Sequence, residues 1–289
     1  MRIGIGLPNP VPGTPGTVLV EWARRAEERG FSGLATIDRI AYPSYDSLTT
    51  LAVAAGATTR IGLVTNILLA PAYPAVLLAK TSASIDQLSG GRLTLGLAPG
   101  GRPDDFTHSG QDFAARGRRF DELLELLHRA WRGEAVAEGP GAPAVGPRPA
   151  QGDAVPVLIG GTSEQTLRRI ARWGAGWTAG GGGPEMVGPF VDRVRAAWRA
   201  AGRPGEPRLA ALAYFSLGPE VEDASRGYLM DYYAFLGPYA QMIADGALRT
   251  ADAIRATVAA YADLGFDELY LDPTVARVDQ VDRLADVVF

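Results

Sequence analysis

Short apolar runs alternate along this chain with longer stretches whose apolar residues recur every three to four positions. The short runs read as strands at 3–7 (IGIGL), 33–37 (GLATI), 61–66 (IGLVTN), 92–97 (RLTLGL), 156–159 (PVLI), 176–179 (GWTA), 208–216 (RLAALAYFS) and 268–272 (ELYLD). Several are apolar almost throughout, as strands covered on both faces are. Between them lie helical patterns. Val18, Leu19, Trp22, Ala23 and Ala26 share one face, and Gly30 follows where a left-handed cap is common. Phe120, Leu123, Leu124, Leu127 and Trp131 mark another face, and 279–289 closes the chain as a final helix.

This alternation predicts parallel strands joined by crossover helices. Eight such units fit a single (β/α)8 barrel, the TIM-barrel member of the α/β class, over residues 1–289. An open doubly wound sheet is the competing fold. It needs a glycine fingerprint after the first strand, where this chain has Leu7-Pro8-Asn9-Pro10. Two segments break the rhythm. Residues 133–155 are rich in Gly, Pro and Ala and read as a long loop. Residues 221–249 are helical and aromatic (Tyr228, Tyr232, Tyr233, Phe235, Tyr239) and form a helical insertion after strand seven.

Composition narrows the chemistry. The 289 residues are 47% hydrophobic and 21% charged, which suits one large core. A net charge of −4 gives no electrostatic reason to bind nucleic acid or an anionic membrane. With no cysteine, disulfides, thiolate metal sites and cysteine nucleophiles are excluded. MRIGIGLPNP lacks the apolar stretch of a secretory signal, and no run approaches a membrane span, so a cytoplasmic location is expected.

In a barrel of this kind, function sits on the loops at the carboxyl ends of the strands. That rule nominates Asn9, Asp38, Arg39, Thr65, Asn66, the segment Gly100 to His108, Gly160 to Ser163 and Gly180 to Gly183. IGGTSEQTLRRI carries the sharpest signal. A strand ends in Gly160-Gly161 and a helix starts at Thr162-Ser163. Unpaired amides at a helix start favour an anion, and glycines let it approach. Plain N-capping competes, because Thr162 with Gln165 spells a capping box. Gly180 to Gly183 follow the next strand and lie beside the first cluster in a barrel. Gly100-Gly101 can admit a flat ring against the backbone, or form a simple loop.

Acid–base candidates are few. His128 reads as a helix packing or surface residue, and His108 lies in the loop after strand four. Asp104, Asp105 and His108 have suggestive spacing, but adjacent loop carboxylates are usually solvated, so no metal site is expected. A chain so poor in catalytic side chains points to a cofactor that carries the chemistry.

These segments resemble the luciferase-like monooxygenase superfamily. The matching stretches are AEERGFSGLATIDR, TTRIGLVTNILLAPAYPAVLLAKTSASIDQLSGGRLTLGLAPGG, RGRRFDELLELLHRAWRG and PVLIGGTSEQTLRRIARWGAGW. The resemblance implies a barrel binding FMN or a deazaflavin at its carboxyl-end rim. It implies a cofactor phosphate at Gly160, Gly161, Thr162 and Ser163, with Gly180 and Gly181 beside it. The ring is implied near Thr65 and Asn66, where family members often carry a bulge with a non-proline cis peptide; Gly100 joins the cofactor candidates on its own glycine signal.

The chain departs from the family in three places. Asp38-Arg39 stands where many relatives have Asp-His, Ala98-Pro99-Gly100-Gly101 replaces Gly-x-Gly, and Asp105-Phe106 replaces Glu-Phe. An arginine does not act as a base near neutral pH.

The resemblance therefore implies, first, a reduced-FMN-dependent monooxygenase. It would use molecular oxygen, a small apolar or aromatic organic substrate, and flavin supplied by a separate reductase. His108 and Arg39 are its catalytic candidates. Asn9, Asp38, Tyr214 and Tyr232, with Phe215, are its substrate-side candidates. A deazaflavin-dependent dehydrogenase or reductase is the alternative, disfavoured by the missing histidine after strand two. A non-catalytic flavin-binding protein is the third reading. A homodimer is expected because relatives often form one.

Overall fold

The computed structural model describes residues 1–289 except 138, 140 and 141. Part of the predicted loop 133–155 therefore lies outside the described residues. Among those described, eight parallel strands close into one barrel in sequence order. The chain runs β1 (Arg2–Gly6), α1 (Gly16–Glu28), β2 (Gly33–Thr36), α2 (Ser47–Ala57), β3 (Gly62–Leu69), α3 (Ala75–Ser89), β4 (Leu93–Ala98), α4 (Pro103–His108) and α5 (Arg116–Trp131). It continues through β5 (Val157–Gly160), α6 (Glu164–Trp173), β6 (Gly176–Ala179), α7 (Gly183–Ala200), β7 (Arg208–Phe215), α8 (Glu222–Tyr232), α9 (Tyr239–Asp245), α10 (Ala251–Asp263), β8 (Glu268–Pro273) and α11 (Asp279–Val288). The helical insertion after strand seven is α8 and α9. No helix described is long and apolar enough to cross a membrane.

The predicted faces are the packed ones, except that Val18 at the start of α1 is only half-buried. Leu19, Trp22, Ala23 and Ala26 of α1 are buried, as are Phe120, Leu123, Leu124, Leu127 and Trp131 of α5. Gly30 holds φ +86 just past α1. These side chains join the outward faces of the strands in the main core between barrel and helices. Inside the barrel a smaller set closes the bore: Ala35, Val64, Leu158, Ala210 and Tyr270. Gly4 and Gly33 make room for Tyr270, whose ring and hydroxyl lie 2.3 and 2.9 Å from where their respective Cβ atoms would stand.

The third strand runs three residues beyond its predicted end. A bulge explains the extension. Thr65 pairs with Leu95, yet the next pairing is Leu68 with Leu97, so β3 carries one residue more than β4. The Asn66–Ile67 peptide within it is cis. Past the bulge β3 keeps its pairing with β4, and Asn66 and Ile67 face the space above the barrel.

Candidate functional site

The cavity that gathers most of the nominated glycines opens at the β5–β6 side of the carboxyl-end rim. It has a volume of about 510 Å³. Gly160, Gly161 and Thr162 after β5, and Gly180 and Gly181 after β6, form its outer wall. Asn66, Ile67, Thr178 and Leu212 reach its inner end, and Val187 and Phe190 of α7 give an apolar side.

Local chemistry builds the outer wall. Gly161 holds φ +101, a conformation suited to glycine. Its carbonyl accepts from Trp177 Nε1 at 2.8 Å, which fixes the turn against β6. The helix then starts one residue later than expected. Ser163, not Thr162, is the N-cap, and its hydroxyl accepts the Thr166 amide at 3.3 Å. The capping box of Thr162 with Gln165 is thus not formed; the extra residue spent on the Gly161 turn leaves Thr162 on the cavity wall. Cβ atoms at Gly180 and Gly181 would meet nothing within 4 Å, so backbone faces open space there.

Arg193 completes this wall, and sequence reading overlooked it. Met186, Pro189, Phe190 and Arg193 all line the cavity, at the i, i+3, i+4, i+7 spacing of one helical face. That spacing was the available signal. Arg193 also pairs with Glu164, which offsets the carboxylate at the first turn of α6.

At the inner end, Asn66 Oδ1 accepts from the Thr178 hydroxyl at 2.6 Å. Its Nδ2 is buried without a partner. Thr65 lies just below, buried, and donates to the Gly96 carbonyl at 2.9 Å. Gly100 packs against Phe106, whose ring lies 2.9 Å from where a Cβ would stand, and it does not line the cavity.

The remaining nominated residues occupy the other side of the rim, and all but His108 are held by hydrogen bonds or ion pairs to neighbouring loops. Asn9 donates to the Ile37 carbonyl at 2.8 Å and ties the loops after β1 and β2. Asp38 accepts from the Leu69 amide at 3.0 Å and from the Tyr73 hydroxyl at 2.9 Å. Burial pushes its carboxyl up to about 6, against the pull of those two donors. Arg39 pairs with Asp104 and Asp105, each at 2.8 Å. Asp105 is fully buried on α4 and also accepts the Ile40 and Ala41 amides, both at 2.8 Å. The expectation of two solvated loop carboxylates is therefore corrected, because the guanidinium and two amides draw Asp105 inward. His108 ends α4 exposed and does not line the cavity. His128 lies on α5 edge-on to Trp131, and burial pushes its imidazole down.

The aromatic segment divides in two. Tyr228 and Tyr232 are buried with Tyr214 and Leu212 in a second apolar cluster above the bore. Tyr214 and Tyr233 share a hydroxyl–hydroxyl bond of 2.7 Å. Phe235 and Tyr239 are exposed. Phe215 leaves this group, because the twofold alternation of β7 turns it outward into the main core. Arg102, 9% exposed, lies against Tyr232, Tyr233 and Phe235 at 4.3, 5.4 and 4.1 Å. No metal-ligand cluster occurs among the described residues.

Residues 1–269 match the luciferase-like monooxygenase family. The chain belongs to that family. An uncharacterized protein of Mycobacterium tuberculosis, Rv0940c, is 30% identical over 250 residues, spanning 77% of this chain and 86% of the relative. The monooxygenase RslO1 from Streptomyces bottropensis shares the fold at a TM-score of 0.80 and 24% identity, over 99% of this chain and 97% of its own. A solved F420-dependent secondary alcohol dehydrogenase, in complex with an F420-acetone adduct, does so at 0.81 and 17%, over 99% and 98%. The chain is thus an enzyme of a family whose members use flavin or deazaflavin cofactors.

A flavin-type cofactor fits the residues present. An anion suits the glycine amides and Arg193 at the rim, and the unpartnered Asn66 Nδ2 offers a donor where a polar ring edge would lie.

Proposed function

We propose that this enzyme is a reduced-FMN-dependent monooxygenase of a small apolar or aromatic organic substrate. The observation that carries this reading is one cavity that joins a backbone anion cradle to an inner end of Asn66, Ile67, Thr178 and Leu212, flanked by the apolar side of Val187 and Phe190. Bound reduced FMN would supply the electrons that activate molecular oxygen. A separate reductase would deliver the reduced flavin, because no nicotinamide fingerprint follows β1.

The residues of this chain bind, orient and exclude water. Amides at Gly161 and Thr162, the start of α6 and the Arg193 guanidinium hold the phosphate. Ser163 acts through its cap, which fixes where those amides point. Gly180 and Gly181 leave room beside it. Asn66 and Thr178 orient the ring, with Thr65 bracing the bulge from below. Gly100 supports that side through its packing on Phe106. Val187, Phe190 and Leu212 keep water from the inner end. Tyr214 and Tyr232 wall the substrate side, while Asn9, Asp38 and Arg39 hold the loops that carry it. His108, exposed on α4, enters this scheme only if substrate reaches across α4.

The FMN reading is favoured over a deazaflavin by Arg39 after β2, where many relatives carry a histidine: a guanidinium paired with Asp104 and Asp105 does not serve as a base. Titration with FMN and with deazaflavin, followed by oxygen uptake with each reduced cofactor, tests it. FMN binding with oxygen consumption is expected. Deazaflavin binding without FMN binding overturns the preference and makes the enzyme a deazaflavin-dependent dehydrogenase. Cofactor binding with no turnover of any substrate leaves a flavin-binding protein.

The same reading includes a homodimer. Val53, Leu77 and Leu88 stand 47, 58 and 78% exposed on α2 and α3, an apolar face that a second copy would cover.

A further inference from the structure

We propose that Asp272 meets the ring of the bound cofactor as a neutral carboxylic acid, donating a hydrogen bond to a carbonyl oxygen on its edge. The inference rests on the cofactor reading above and adds a residue that sequence reading did not single out.

Strand alternation sets the position. Tyr270 faces the bore with Ala35 and Val64, so Asp272, two residues nearer the rim, faces inward as well. Gly6 on β1 confirms the direction. A Cβ there would stand 1.8 Å from Asp272 Oδ1, so the glycine clears the space that the carboxyl occupies. On the neighbouring strand, Leu212 lines the cofactor cavity. Tyr214, the next inward residue of β7, pairs in register with Asp272. The carboxyl therefore faces the mouth of the bore from β8, one strand beyond Leu212 and across from the phosphate cradle; it does not line the cavity itself but stands where a ring reaching inward over the bore would arrive.

Its surroundings make it a donor. The residue is 2% exposed, and Oδ2 is buried without a hydrogen-bond partner among the described residues. The buried cations of the rim are engaged elsewhere: Arg39 pairs with Asp104 and Asp105, and Arg102 lies against aromatic rings. The titratable groups around it are phenols, Tyr214 on β7, Tyr228 on α8 and Tyr233 just after it. Burial pushes the Asp272 carboxyl well above the ordinary carboxylate range. A carboxylic acid kept neutral in such a site donates a hydrogen bond.

Asn66 Nδ2 is a second unpaired donor, on an amide whose Oδ1 is oriented by the Thr178 hydroxyl. Two donors without acceptors at one barrel mouth match an acceptor-rich ligand edge. The pyrimidinedione of flavins and deazaflavins carries two carbonyl oxygens.

Infrared difference spectra at pH 8, with and without FMN or deazaflavin, test this in the whole protein and in Asp272→Asn. Cofactor binding is measured separately by titration. At that pH Asp38, raised only to about 6, is ionised and contributes no protonated-carboxyl band. The wild type should show such a band, Asp272→Asn should lack it, and cofactor should move it to lower frequency. Asp272→Asn keeps an amide donor and should bind cofactor within about 3-fold of wild type; Asp272→Leu should lose about 10-fold or more. A missing band at pH 8 overturns the proposal. So does a bound cofactor that leaves the band unmoved. Binding of neither cofactor sinks the underlying reading as well.

Discussion

The two sides of the barrel rim are built from different material. Over β5 and β6 the wall is backbone: Gly160, Gly161, Thr162, Gly180 and Gly181 line an open cavity, with Arg193 as its cation. Across the bore, over β7, β8, β1 and β2, the wall is buried side chains, most of them bonded to each other, with Asp272 Oδ2 left unpaired. Arg39 pairs with Asp105, Asp38 takes Tyr73, and Tyr214 meets Tyr233. An open wall of amides presents donors to a ligand at little cost in stability. A closed wall of paired charges and phenols shapes a surface, and its integrity is part of the fold. Substitutions on the closed side should therefore cost stability first, and those on the open side should cost binding first.

The largest expected effect is on the closed side. Asp105→Ala removes the buried one of the two carboxylates paired with the Arg39 guanidinium, whose side chain is 6% exposed, and it strips the acceptor from two amides. Breaking one partner of a buried pair costs about 3–5 kcal/mol. Urea unfolding of the variant measures it. A loss below about 1 kcal/mol would mean that paired charge does not hold this wall.

A second effect appears in the pH profile. Asp38 has its carboxyl raised from 3.8 to about 6, so the folded state favours the neutral form. Its contribution is full below about pH 4 and is lost as pH rises through 6, about 3 kcal/mol for a shift of roughly two units. Asp272 pulls in the same direction. Asp38→Asn should flatten the fall in unfolding free energy between pH 4 and 6, leaving the part due to Asp272. Cradle variants on the open side should keep the wild-type slope. An unchanged slope in Asp38→Asn would remove Asp38 from the account.

The same division explains what the sequence discloses. Eight alternations of short and long apolar periods were legible because each strand and helix face is a local pattern. The glycine clusters were legible because a backbone wall is written in consecutive residues. Arg39 and Asp105 lie 66 positions apart, and nothing local in Asp104-Asp105 separates a buried carboxylate from a solvated one. Asp272 reads as the end of an apolar strand, and only the closing of β8 onto β1 turns it toward Gly6. The N-cap shift from Thr162 to Ser163 follows from the left-handed turn at Gly161, which composition alone does not specify. Arg193 sits between these cases, its helical face readable but its target set by the packing of α7.

The smallest effect is the most discriminating, because it separates binding from stability at two glycines of one wall. Gly161 holds φ +101, and a Cβ there would lie 3.0 Å from Thr166 Oγ1. Gly161→Val should therefore lose about 1–3 kcal/mol of stability along with its cofactor affinity. Gly181 has no such constraint: a Cβ meets nothing within 4 Å and points where the cavity is open. Gly181→Val should stay within about 0.5 kcal/mol of wild type in unfolding. It should still weaken FMN or deazaflavin binding by about 10-fold or more, roughly 1.4 kcal/mol. Thermal melts paired with cofactor titrations read both quantities on the same samples. If Gly181→Val binds as tightly as wild type, the cofactor does not use this wall, and the contrast between an open binding side and a closed structural side fails at its first term.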